Sequence, residues 1–221
     1  MTECALCDSN GSDTMRQILF VQGAGKDVHE QWDSKLVESL RRELGPGYEV
    51  RYPLMPNEAD PRVAAWGVAI ESELAALQSG AIVVGHSLGG TMLINVLAER
   101  APAVGLGAIV SIAAPFVGHG GWKSDDIEPR SDLAARLPPD VPVFLYHGDE
   151  DTIAPIAHLE LYAAAIPHAH VRQLANRDHQ LNNNLSEVAS DIRELEADSP
   201  DVRRTLSLAA ELGHQVDTQS S

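Results

Sequence analysis

The chain predicts an α/β fold, with a mostly parallel central sheet and helices on both faces. Three observations carry this. Short apolar runs alternate with longer stretches whose apolar residues recur every three or four positions. Two of the runs, Ala81–Val84 and Leu106–Ile112, are almost wholly apolar, which suits parallel strands covered on both sides. A length of 221 residues fits one such domain with a sizeable core and leaves little room for a second.

The elements follow in order. Ile18–Val21 is a short strand that ends at Gln22-Gly23-Ala24-Gly25. From Glu30 to Leu44 the residues Trp32, Leu36, Leu40 and Leu44 share a helical spacing, and Gly45-Pro46-Gly47 stops the helix. Tyr48–Tyr52 reads as the next strand. Asp60-Pro61 has the form of an N-cap followed by proline at the first helical position, ahead of the stripe Val63, Trp66, Ile70, Leu74 and Leu77. Ser79-Gly80 ends that helix, strand Ala81–Val84 follows, and a helix runs from about Leu88 to Arg100. After strand Leu106–Ile112 comes a Gly-rich, acidic loop from Phe116 to about Arg130. Val141–Tyr146 is a strand, Ile156–Ile166 a helix, Ala169–Leu174 a strand, and Leu181–Leu195 a helix with Leu185, Val188, Ile192 and Leu195 on one face. Strand and helix in repeated alternation mean a parallel sheet.

The domain is expected to occupy residues 16–196, after a flexible tail at 1–15 and before an extension at 197–221. In the extension Ser199-Pro200 opens a short helical pattern with Val202, Leu206 and Ala209 inward, ended by Gly213. Met1–Gln17 carries Glu3, Asp8 and Asp13 and no apolar run, so it does not read as a secretory signal, and a cytoplasmic location is the expectation. No stretch approaches the apolar length of a membrane span. The formal net charge of −16 disfavours nucleic-acid binding, which needs a basic surface, and reads as solubility. Cys4 and Cys7 form a CxxC, but in a polar segment with no strand before it and no second pair to complete a zinc site, so a tail is the expectation.

The strongest motif is Gly85-His86-Ser87-Leu88-Gly89, a G-x-S-x-G set between an apolar strand and a helix. The turn is tight, the flanking glycines avoid collisions, and the serine is exposed at the carboxyl edge of the sheet, where open α/β sheets bind ligands. A serine hydroxyl needs a neutral imidazole to take its proton and a carboxylate to hold that imidazole. Chain order on this kind of sheet is serine, acid, histidine. Asp151, in the loop after Val141–Tyr146, and His179, in the loop after Ala169–Leu174, fall in the right places. The amide of Leu88, directly after the serine, is one expected oxyanion donor.

These features resemble the α/β-hydrolase superfamily, and in particular its small esterase-like members with little or no lid. The resemblance spans roughly Arg16–Glu196. The family's H-G-x-x-D-x-x-V-P around the acid stands here as His147-Gly148-x-x-Asp151-x-x-Ala154-Pro155, with alanine for valine. That spacing favours Asp151 over Asp149 and Glu150. The glycine usual before the base is replaced by Asp178. Where the family often has H-G-x-x after the first strand, this chain has Gln22-Gly23-Ala24-Gly25, and the resemblance implies Ala24 N–H as the second oxyanion donor.

The other histidines read differently. His86 adjoins the serine at a sharp turn and is expected to pack under the loop, and His147 to support its own loop. His168 and His170 have a metal-like spacing without carboxylate or cysteine partners, and read as surface residues. Phe116 and Trp122 in the long loop, with His119 and His29 near the expected mouth, are candidate pocket residues. The implied chemistry is hydrolysis of a small-molecule carboxylic ester or thioester through an acyl-enzyme, with no metal or organic cofactor required. Serine at 87 argues against a dehalogenase or epoxide hydrolase, which need aspartate there. A haloperoxidase, acyltransferase or peptidase could use the same residues, and a silent binding protein on this scaffold is the alternative from outside enzymology.

Overall fold

A computed structural model describes residues 15–130 and 132–197. Cys4, Cys7 and the helical pattern from Ser199 lie outside the described residues. Six strands form one all-parallel sheet in the order β2-β1-β3-β4-β5-β6, comprising β1 Arg16–Val21, β2 Tyr48–Arg51, β3 Ala81–His86, β4 Leu106–Ile112, β5 Val143–Gly148 and β6 His170–Leu174. The helices are α1 Ser34–Leu44, α2 Val63–Ala75, α3 Leu88–Glu99, α4 Leu133–Arg136, α5 Ala157–Ala165 and α6 Ser186–Ala197.

Strand side chains alternate between two cores, as the two-residue period requires. Leu19, Val21, Val83, Ile109 and Leu145 face Trp66 and Ile70 of α2, Leu93 and Leu97 of α3 and Leu159 of α5. Ile18, Phe20, Ile82, Val84, Val110 and Tyr146 face Leu36 and Leu40 of α1 and Val188 and Ile192 of α6. Both faces are therefore dry, which is why the central strands carry apolar residues at nearly every position. Edge strand β6 is mostly exposed and carries Arg172, whose guanidinium pairs with Asp191 at 2.9 Å. No helix among the described residues is long and apolar enough to cross a membrane.

Four local expectations are corrected. Asp60 does not cap α2: its carboxylate binds Arg62 at 2.9 Å, its amide closes a turn on Asn57, and the helix begins at Val63 after an extended Arg62. The first helix starts as a π-helical turn, His29–Asp33, which breaks the 3.6-residue phase and leaves Trp32 52% exposed while Leu36, Leu40 and Leu44 stay buried. The last helix does not begin at Leu181. Leu181, Asn182 and Asn183 all have positive φ (48°, 54° and 55°) and make a tight turn, so α6 starts at Ser186. Strand β5 begins at Val143 because Pro142 has no N–H to give the ladder; its carbonyl still accepts from Ile109 N–H at 2.9 Å.

Because every strand runs the same way, the segments after β1, β3, β5 and β6 all leave one edge of the sheet. Strand β1 lies between β2 and β3, so the order reverses beside it and the β1 and β3 exits open a crevice.

Candidate active site

Ser87 occupies the single residue between β3 and α3, at φ 51° and ψ −126°. For a side chain with a Cβ this backbone is strained by roughly 1–3 kcal/mol. Neighbouring hydrogen bonds hold it there. Its amide donates to Ile112 O at 2.8 Å, and its carbonyl accepts from the Gly90 and Thr91 amides at 3.0 and 3.2 Å. The turn closes only without side chains around it: a Cβ on Gly85 would lie 2.5 Å from Gly90 Cα, and one on Gly89 would collide with the Gln22 carbonyl.

Three of the sequence-predicted residues come together in hydrogen-bonding series. His179 Nε2 is 3.0 Å from Ser87 Oγ, and His179 Nδ1 is 2.7 Å from Asp151 Oδ2. The other oxygen, Asp151 Oδ1, accepts from the Ile153 and Ala154 amides at 2.8 and 2.9 Å. His147 Nε2 faces both Asp151 Oδ2, at 3.1 Å, and the Ala154 carbonyl, at 2.6 Å. Burial works to raise the Asp151 pKa. Hydrogen bonds from His147, His179 and the Ala154 amide outweigh it and hold the carboxyl well below the usual carboxylate range. The Asp178 carboxylate, where the resemblance leads one to expect glycine, accepts from the Gln180 and Asn182 amides at 2.9 and 2.7 Å and so folds the loop that carries His179.

Ala24 sits between two committed amides: Gly23 N–H donates to Asp33 Oδ2 at 2.7 Å and Gly25 N–H to the Glu58 carbonyl at 2.8 Å. Leu88 is the first residue of α3, so its amide has no carbonyl within the helix to bind. Gln22, which stands where relatives often have histidine, is fully buried; its Oε1 accepts from Met55 N–H at 3.1 Å and its Nε2 donates to Glu58.

A cleft of about 400 Å³ opens over Ser87 and His179, walled by Ala24, Val28, Trp32, Thr152 and Ile153. None of the four expected pocket residues lines it. Phe116 is buried against Tyr162 and, with His119, borders a separate cavity of about 220 Å³. Trp122 stands edge-on to His158 with ring centroids 5.7 Å apart, and its amide donates to the Phe116 carbonyl, closing the loop on itself. His29 stacks on Tyr52 at 4.1 Å. The long loop thus covers the core edge, while the cleft wall comes from the π-helical turn and the acid loop. In the sequence Trp32 reads as a stripe residue; Ile153 is not singled out there, and its one signal is an apolar side chain in the mostly polar stretch after Gly148. Asp33 and Gln180, which bind one another at 3.2 Å under the site, carried no sequence signal. A larger groove of about 430 Å³ between α2 and α3 has no comparable set of reactive groups. His170 stacks on Phe144 at 4.7 Å, and no cluster of metal-binding side chains occurs among the described residues.

An all-parallel doubly covered sheet with a serine on a strained strand-to-helix turn at its carboxyl edge defines an α/β hydrolase. The chain belongs to the serine hydrolase family, whose sequence profile matches residues 18–184. Its fold is similar to that of the ydeN gene product of B. subtilis, with a TM-score of 0.66 at 18% identity over 82% of this chain and 99% of that one. It is also similar to a monoacylglycerol lipase of Paleococcus ferrophilus (TM-score 0.58, 17% identity, 83% of this chain and 95% of that one). The esterase domain of a Rhodothermus marinus protein is a third (TM-score 0.54, 22% identity, 83% and 85%). At these identities the likeness shows the fold. No curated protein matches the chain in sequence.

Proposed function

We propose that the protein hydrolyses a small-molecule carboxylic ester or thioester through an acyl-enzyme on Ser87. The observation that carries the reading is the unbroken series Asp151 Oδ2, His179 Nδ1, His179 Nε2, Ser87 Oγ, at 2.7 and 3.0 Å. Ser87 Oγ attacks the carbonyl carbon while His179 Nε2 takes its proton. The Ala24 and Leu88 amides receive the developing oxyanion. His179 then gives the proton to the departing alcohol or thiol, and water, deprotonated by the same nitrogen, releases the acid. Asp151 keeps Nδ1 protonated throughout, so that Nε2 is free to take the proton at the start of each half-reaction. The lipase and esterase activities named for two proteins of similar fold accord with ester chemistry, as does the apolar wall of the cleft.

The test is turnover of esters and thioesters of graded acyl length, with labelling by a fluorophosphonate mapped to its site by mass spectrometry. Label on Ser87, and a loss of roughly 10⁴-fold or more in kcat for Ser87→Ala, are expected. An unlabelled, folded protein with no turnover on any acyl ester would sink the proposal and favour a binding role for the scaffold.

A further inference from the structure

The hydrolase reading uses three side chains and leaves unused a second charged pair directly beneath them. The Asp33 and His86 side chains are 0% and 1% exposed, with His86 under the floor of the cleft and Asp33 behind it. Asp33 ends the π-helical turn. Its Oδ2 accepts from the Gly23 amide at 2.7 Å and lies 2.9 Å from His86 Nδ1, and its Oδ1 accepts from Gln180 Nε2 at 3.2 Å. The second ring nitrogen of His86, Nε2, is 3.0 Å from the carbonyl oxygen of His179. Both partners of the ring are acceptors only, so satisfying both contacts requires protons on both nitrogens and a charged imidazolium. Burial opposes that charge. The adjacent Asp33 carboxylate overrides it and pushes the His86 pKa up, while the same attraction holds Asp33 down.

The pair touches each segment on which the chemistry depends. Gly23 adjoins Ala24, His86 adjoins Ser87, and the His179 carbonyl and Gln180 side chain belong to the loop of the base. The three segments are far apart in sequence, and Asp33 belongs to none of them. We propose that Asp33 and His86 are positioning residues, a buried ion pair that holds the Ala24 amide, the Ser87 turn and the His179 loop in mutual register for acyl transfer. This rests on the Ser87 hydrolase reading. The rings of His86 and His179 are 5.0 Å apart and tilted by 53°, and His86 engages its neighbour through the backbone carbonyl rather than the reacting nitrogen. It therefore orients the base without exchanging protons with it. A buried ion pair contributes little net stability compared with apolar packing of the same volume, so its effect should be sought in rate.

Two measurements test the pair. In the unaltered protein labelled with ¹⁵N-histidine, both ring nitrogens of His86 should carry protons at about pH 8, where a free imidazole is neutral. In Asp33→Asn, His86→Asn and the double variant, kcat should fall roughly tenfold to a hundredfold, with KM little changed and slower fluorophosphonate labelling of Ser87. The double variant should be no worse than the weaker single, because either change breaks the same unit. Gln180→Met, which removes the tie from the base loop to Asp33 at a residue that also borders the cleft, should give a smaller loss of kcat and slower labelling of Ser87, and keeps the test decisive if the charge variants do not fold. A neutral His86 ring at that pH, or folded variants with parental kcat and only a lower melting temperature, would overturn the proposal. A parent protein that is not labelled at Ser87 overturns the hydrolase reading and this inference with it; a labelled parent with undiminished variants overturns the positioning role alone.

Discussion

Asp151 receives more hydrogen bonds than holding one imidazole needs. Two backbone amides grip Oδ1, and two histidines converge on Oδ2. The amides fix the carboxylate plane, so Oδ2 is held toward the two histidines, 2.7 Å from His179 Nδ1 and 3.1 Å from His147 Nε2. Asp151→Asn would keep the shape and lose the charge, and an amide NH₂ turned toward Nδ1 would favour the wrong imidazole tautomer. On the proposed mechanism kcat should then fall about 10³- to 10⁴-fold with little change in KM, as measured by steady-state ester hydrolysis. An effect below tenfold would mean that Asp151 is not the orienting acid. The cleft wall gives a second prediction at this scale. Trp32 and Ile153 are 52% and 57% exposed beside Ser87, where an acyl or alcohol chain would cover them. Each methylene buried there is worth about 0.8 kcal/mol. Trp32→Ala and Ile153→Ala should therefore flatten the dependence of kcat/KM on chain length, whereas Trp122→Ala should leave it unchanged. Equal profiles for all three variants would remove the cleft from the substrate's path.

Among the elements, the turn from β3 to α3 tolerates the least. A methyl group on Gly89 would meet the backbone carbonyl of Gln22, which has no rotamer by which to move aside. Gly89→Ala should cost about 1–3 kcal/mol in urea unfolding. Gly67 in α2 makes the opposite case. Nothing lies within 4 Å of its would-be Cβ, so Gly67→Ala should stabilise by about 0.5–1 kcal/mol. The same contrast explains what the sequence made legible. The turn around Ser87 is dictated by backbone chemistry, which demands small residues at fixed offsets, and the strands of a doubly covered sheet must be apolar nearly throughout. Those signals are local and strong. The π-helical turn at His29–Asp33 has no residue signature, and one extra residue per turn moved Trp32 from an apparent core stripe to the cleft. Asn182 and Asn183 tolerate left-handed backbone, so their run delayed α6 to Ser186, although the apolar spacing beyond them was read correctly. Helix α4, with four residues, is too short to show a period. The cleft wall and the Asp33 pair are assembled from distant segments brought together by the sheet, Asp33 from the π-helical turn and His86 from the end of β3, and no spacing along the chain encodes them.

For the molecule as a whole, the distribution of titrating groups sets the pH range over which it stays folded. Five carboxyls among the described residues are held below their ordinary pKa values: the exposed Asp132, by its hydrogen bond from Arg136, and Asp33, Asp151, Glu187 and Asp191, in each of which burial opposes the shift and hydrogen bonds and facing cations prevail. Near their ordinary values, about 4, the unfolded chain therefore binds more protons than the native one. Their contribution is fully present above that pH and is lost as pH falls toward the native values. His86 has the opposite sign: its raised pKa adds stability below the ordinary value of about 6.5, which is lost as pH rises through the native one. Asp191 is the cleanest probe, because it lies on α6, away from the cleft. It accepts from the Tyr146 hydroxyl at 2.5 Å and from Arg172 Nε at 2.9 Å. Asp191→Asn should lower the urea midpoint at pH 7, and the gap between variant and parent should close as pH is lowered from about 5 to 3, since protonation then removes in the parent the charge the variant already lacks. Hydrogen bonds to charged groups contribute about 1.5–3 kcal/mol when buried, and partial exposure of this pair places the gap at the lower end. A gap that stays constant down to pH 3 would mean that Asp191 acts through shape alone, and that the acid limb of stability belongs to the other depressed carboxyls.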